Sequence, residues 1–394
     1  MEKIKEEYAS IGISSGVEED SYAEWEYPFN AEEISISLVP VPLNRLVERI
    51  KNSSVFAPEI QRGANLWNKQ QKSRLIESLM LRIPLPLFYV AADADENWKI
   101  VDGLQRISAI KHFMIGDDEN NKMKLAQLEF FSEKFNNKIF DDLPAKYQNR
   151  IKDAQFQFAV ISSTTPPEVQ RNIFKRLNTG GLPLTSQEIR HALYYEKKSA
   201  DFLLELAHSG QFNKAVNNSV NDSRMAAQEL ILRFIAFLIR AQAYTKSDDM
   251  DSFLSDTIQL LNVMPDFSQQ QIKKYFFNRK NINIQCKYKN YDDIRNRFFT
   301  AMDRAKELFG EYAFRKSMSG KKTPINKSLF ETISVILAEM NTEQFNNICR
   351  HKEEIHKKIE NQFETSNLRD LISKDSQKIS SVKERFEIFN KLLS

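Results

Sequence analysis

The pattern of apolar positions changes character near residue 195 of this 394-residue chain. Before that point, short runs with a period of two alternate with runs at helical spacing. ISISLVPVP at 34–42 alternates like an edge strand and is stopped by its prolines. Leu43, Leu46, Val47 and Ile50 then predict a short helix. Leu75, Ile76, Leu79 and Met80 line a second helix, ended by Ile83-Pro84-Leu85-Pro86. Strands are predicted at 87–91, at Ile100 and Val101, and at 156–161. Leu104, Ile107, Ala109, Ile110 and Phe113 predict a helix directly after the central strand, and another covers 168–177. Thr185 with Glu188 fits a capping box that opens a helix holding Arg190, so both are read as structural.

After residue 195 strand signals thin out. Helical spacing recurs at 202–207, 226–243, 253–261, 294–309, 329–340, 345–363 and 382–393. The expected fold class is α+β: an acidic, mobile tail at 1–30, a mixed α/β domain at 31–195 and an all-helical domain at 196–394. Composition agrees. Hydrophobic content of 41% and charged content of 28% fit a globular protein and exclude wholesale disorder. The chain is longer than one core usually serves. No run reaches the roughly 18 apolar residues of a membrane span. MEKIKEEYAS has no apolar core of a secretory signal, so a cytoplasmic protein without membrane contact is expected. Cys286 and Cys349 lie far apart and read as free, inert thiols.

Charge alters the picture more than composition does. The net value of +3 conceals a gradient. Residues 1–30 hold eight acids and two bases, whereas residues 271–325 hold fourteen bases and five acids. In the basic block Lys273, Lys274, Arg279, Lys280, Lys287 and Lys289 are interleaved with Tyr275, Phe276, Phe277, Tyr288 and Tyr291. Such a block can neutralise DNA phosphates while aromatics stack on bases. The alternative is a solvated basic face over an aromatic helix core.

The chemistry concentrates in WKIVDGLQRISAIKHF, residues 98–113. A strand ends and a helix begins at Asp102 and Gly103. Free N–H groups and the positive end of the helix dipole collect at such a place and suit phosphate. Asp102, Gln105 and Arg106 there supply a metal ligand or base, a water-positioning amide and a phosphate clamp. Two other turns carry arginine: Gln61-Arg62, and Lys175-Arg176 leading into Asn178. Convergence of these guanidiniums on one carboxylate is what a nucleoside triphosphate with a divalent cation needs. Three separate, solvated arginines are the alternative. There is no Gly-rich P-loop, and His351 and His356, five apart, lack zinc-ligand spacing.

FAPEIQRGANLW, LIESLMLRIPLPLFYV, IVDGLQRISAI and IFKRLNTGGLPLTSQEIRHAL, in that order over about 35–195, together resemble the GmrS-like family. This is the N-terminal domain of GmrSD-type restriction enzymes, with a ParB/sulfiredoxin-like fold. The family core is Asp-Gly-Gln-Gln-Arg; here Leu104 replaces the first Gln. The resemblance implies a nucleotide-binding or nucleotide-hydrolysing module (GTP, ATP or CTP with Mg2+) in prokaryotic defence. Asp102 would hold Mg2+ or the attacking water, and Gln105 would orient that water. Gln61, Arg62, Gly103, Arg106 and Arg176 would contact phosphates, and Asn178 base or sugar. Many relatives carry a C-terminal His-Asn-His nuclease, whose signature is not found here, so a separate nuclease or effector subunit is expected. A DNA-binding or protein-docking module without turnover is the competing expectation, motivated by Leu104 and the basic block.

Overall fold

The computed structural model describes residues 15–18, 34–56, 67–93, 95–116, 121–177, 184–245, 249–276, 284–365 and 367–394. They fall into two compact units. One is bounded by Pro28–Leu184 with Ile189–Leu193; the other by Tyr194–Ser394 with Thr185–Glu188 and Met1–Tyr27.

The first unit is mixed α/β. Its order is β1 (Ile36–Pro42), α1 (Leu43–Lys51), β2 (Val55–Phe56), α2 (Lys69–Met80), β3 (Phe88–Ala92), β4 (Trp98–Asp102), α3 (Leu104–Met114), α4 (Ser132–Phe135), α5 (Ala145–Lys152), β5 (Gln155–Ile161), α6 (Pro167–Leu177) and, of α7 (Ser186–Tyr194), the part Ile189–Leu193. The strands make one sheet in the order β1-β5-β3-β4-β2. β1 is indeed an edge strand, antiparallel to β5, so its two prolines interrupt no second ladder. β3 runs parallel to β5 and antiparallel to β4, and β4 runs parallel to the two-residue β2.

One face of the sheet carries Phe88, Val90, Trp98, Ile100, Phe156 and Phe158 into a core shared with α2 and α3. Phe88 stacks on Phe156 and Phe158 at 5.1 and 5.0 Å between ring centroids. α2 opens with an Asn68–Gln71 capping box, which satisfies orphan N–H groups of its first turn. Its buried Glu77 accepts the backbone N–H groups of Glu129, Phe130 and Phe131 at 2.9, 2.7 and 2.9 Å. A single carboxylate thus fixes the loop that follows α3. Lys72 Nζ of α2 lies 3.1 Å from His112 Nδ1 of α3, which joins the two helices.

The second unit is helical: α8 (Lys197–Ala207), α9 (Gly210–Ala215), α10 (Ala226–Arg240), α11 (Met250–Val263), α12 (Gln269–Phe276), α13 (Tyr291–Phe309), α14 (Lys327–Glu339), α15 (Thr342–Arg350), α16 (Lys352–Thr365), α17 (Leu368–Leu371) and α18 (Ile379–Leu392). α10 and α14 are almost wholly buried. Charges cross their interface. Arg385 of α18 donates to Glu331 of α14, Glu331 also accepts from Arg233 of α10 at 3.0 Å, and Arg233 bonds Glu229 at 3.3 Å. Arg385 and Glu331 are both 0% exposed. The single helix expected over 345–363 is two, broken at His351. Ile348 and Ile355 are two turns apart, so apolar spacing runs straight through the break.

Within the acidic stretch expected as a mobile tail, residues 15–18 make a parallel bridge, Val17 to Ile325. Glu18 pairs with Lys316 at 2.6 Å and accepts from Asn326 at 2.8 Å. Gly16 (φ +72°) is required there, because a Cβ would lie 1.7 Å from the Ser219 carbonyl oxygen.

Candidate functional site

The turn between β4 and α3 is built by four residues that each do something different. Tyr89 pairs with Asp102 but Val90 pairs with Ile100, so β4 bulges one residue before the turn. Bulges re-aim the side chain beside them, and Asp102 is turned out, its side chain 52% exposed. Gly103 follows in the left-handed region, φ +94°. A Cβ on it would sit 2.3 Å from the Phe88 ring. Only glycine lets the chain pass over that ring and start α3.

Arg106 lies one turn further on, its side chain only 10% exposed. Its Nη1 donates to the Pro86 carbonyl, and its Nη2 donates to the Leu87 carbonyl at 3.1 Å and to Asp102 Oδ2 at 3.0 Å. The guanidinium carbon stands 4.1 Å from the centre of the Phe88 ring, a cation–π distance. Burial pulls the guanidinium below its usual pKa, and Asp102 pulls the other way. Gln105 Oε1 accepts the Trp67 backbone N–H at 3.3 Å. That bond ties the residue before the cap of α2 to the first turn of α3. On β4, Lys99 Nζ donates to the Leu193 carbonyl in the last turn of α7 at 2.9 Å, a favoured place for a cation.

The structure therefore brings Asp102, Gly103, Gln105 and Arg106 into one turn. Arg176 sits exposed in the last turn of α6. Gln61, Arg62, Asn178, Arg279 and Lys280 lie outside the described residues. Sequence reasoning missed Phe88, Pro86 and Leu87, and with reason: two of them act through carbonyl oxygens, which leave no residue signature. It also missed Glu77 and Lys99.

The basic block is largely engaged within its own unit. Lys287 pairs with Glu339, which also accepts from Tyr288 at 2.8 Å and Arg297 at 3.2 Å. Arg297 stacks on Tyr288 at 4.0 Å, Lys274 stands 3.8 Å from Glu196, and Arg295 pairs with Glu205 at 2.6 Å. Lys289 stands 5.6 Å over the Phe267 ring, and Lys273 is exposed on α12. Of the interleaved aromatics, Phe276 is buried and Tyr291 donates to the Leu261 carbonyl at 2.7 Å. Thr185 and Glu188 form the expected capping box, and Glu188 also takes a forked Arg224. Burial pushes the thiols of Cys286 and Cys349 up, away from the reactive thiolate.

Residues 43–195 match the family described as GmrSD restriction endonuclease, N-terminal domain. The match is to that domain and covers less than half of the chain. Asp102, Gly103, Gln105, Arg106 and the contacts that hold them all fall inside it. So do Glu77, Lys99 and Arg176. No curated protein and no solved structure gives a match. Among the described residues no helix is long and apolar enough to cross a membrane.

Among the described residues no group of three or more His, Cys, Asp or Glu side chains is placed to hold a metal. A lone carboxylate does not suit a dedicated protein cage. It does suit Mg2+, which is commonly bound by one or two carboxylates with substrate phosphates and water completing the shell. The GmrSD-type turn thus fits a cation that arrives with a phosphate ligand.

Proposed function

We propose that this chain is the nucleotide-responsive module of a restriction-type defence system, binding a nucleoside triphosphate with Mg2+ at the Asp102 turn. One observation carries the reading: a carboxylate that is half exposed and yet held by a buried guanidinium, at the start of an α-helix. An ordinary surface aspartate has no such anchor. The first N–H groups of α3 have no partner within the helix and favour an anion beside that carboxylate. Bound Mg2+ would offset the charge of the phosphate oxygens. Asp102 contacts the cation, and Arg62, Arg176 and Gln61 supply further contacts to phosphate, with Asn178 at base or sugar. Leu104, apolar where the resembled family has Gln, removes one polar group from the turn, which bears on turnover and not on binding. Cleavage of DNA is assigned to a separate nuclease or effector subunit.

The test is phosphate release from GTP, ATP and CTP with Mg2+, with and without DNA. Release by the native chain and its loss in Asp102→Ala support an NTPase. Equal release by both removes Asp102 from the site. A second reading, DNA binding or docking without turnover, draws on the basic block. Because many of those cations already face carboxylates, DNA affinity there should be weak and steeply salt-dependent.

A further inference from the structure

We propose that Arg106 is a positioning residue: it works through Asp102 and the Pro86–Leu87 strap, and does not itself grip phosphate. This rests on the nucleotide reading above and reassigns one member of that site. A guanidinium has five N–H donors in a planar fork. Here the fork is aimed into the protein, at two backbone carbonyls and one carboxylate oxygen. One face of it is covered by the Phe88 ring. Three of the five N–H groups are taken in this way and the side chain is only 10% exposed, which leaves little of the guanidinium to a phosphate.

The same ring fills the space where any residue but glycine would place its Cβ at position 103. Phe88, Gly103, Arg106 and the strap are therefore mutually dependent, with the carboxylate of Asp102 as the charge this group presents outward. Holding Oδ2 fixes the carboxylate before a ligand arrives. That lowers the ordering cost of binding a cation, in the way that groups behind a metal ligand commonly do. Lysine in place of arginine keeps the charge but cannot reach two carbonyls and a carboxylate in one plane.

The test uses the full chain, its Arg106→Lys and Arg106→Gln variants, and two readouts. The first is hydrogen exchange at the amides of Phe88–Val90 and at that of Ile107, which bonds the Gly103 carbonyl; it needs no ligand. Faster exchange there in Arg106→Lys is expected; unchanged protection overturns the clamp. The second is the ATP-, GTP- or CTP-induced rise in melting temperature, with Mg2+ titrated and again in EDTA. Both variants should need about 10-fold more Mg2+ for a half-maximal rise, while the nucleotide concentration for a half-maximal rise at saturating Mg2+ stays as in the native chain. An unchanged Mg2+ requirement with a raised nucleotide requirement would make Arg106 a phosphate ligand and overturn the proposal. If the native chain responds to no nucleotide, the functional reading fails, and the exchange measurement alone decides the role of Arg106.

Discussion

Arg106 and Arg385 are both buried and both answered by a carboxylate, yet the two regions use them differently. Arg385 meets Glu331, which is 0% exposed, and the network runs on through Arg233 and Glu229 to Lys327, none of these side chains more than 11% exposed. Arg106 meets Asp102, which is 52% exposed, so its network ends at solvent. A closed network can only hold helices together. An open one presents a fixed charge to whatever arrives. The difference separates framework from candidate site without reference to any family.

The sharpest way to break the comparison is Arg385→Met. It takes from buried Glu331 one of its two guanidiniums, and from Thr332 and the Ser376 carbonyl their donor, and should cost the helical unit about 3–5 kcal/mol, read by urea unfolding. A loss below about 1 kcal/mol, the scale of exposed pairs, would mean that the network is not the framework it is taken for. Next is Gly103→Ala, which forces a left-handed backbone and a contact with the Phe88 ring. It should destabilise the mixed unit by about 3 kcal/mol and remove any nucleotide response with it. Glu77→Gln weakens three charge-assisted bonds and should cost about 2 kcal/mol, with faster exchange at Glu129–Phe131. Lys287→Gln should change stability by no more than about 1 kcal/mol, as for other exposed pairs. A marked fall in DNA affinity on that change would instead show the basic block at work.

The mixed unit was legible where a strand stops abruptly and a helix starts. Ile100 and Val101, then Asp102-Gly103, then Leu104, Ile107 and Ile110 state that transition outright. β2 was not legible, because two residues carry no period. The bulge in β4 was hidden for a similar reason: Ile100 and Val101 are both buried and apolar, so nothing in them marks the extra residue. Arg106 was legible as a partner of phosphate, since guanidinium and anion are complementary. Its inward aim depends on the Pro86 and Leu87 carbonyls, fifteen or more residues away and silent in sequence. The helical unit was read in outline from apolar spacing. Its division into α15 and α16 was not, because the spacing continues through His351. The basic block looked like an open cationic face because Glu339 and Glu205, which pair with it, lie outside the block.

The most direct measurement is the nucleotide-dependent melting shift of the native chain beside Asp102→Asn, with Mg2+ and with EDTA. A ligand that binds only the folded state raises the melting temperature. Asp102→Asn keeps the side chain's shape and removes its charge. The expected result is a rise that needs Mg2+ in the native chain and vanishes in Asp102→Asn, with the unliganded melting temperatures close together. An equal rise in both proteins would contradict the assignment of the outward-facing carboxylate as the working end of this site.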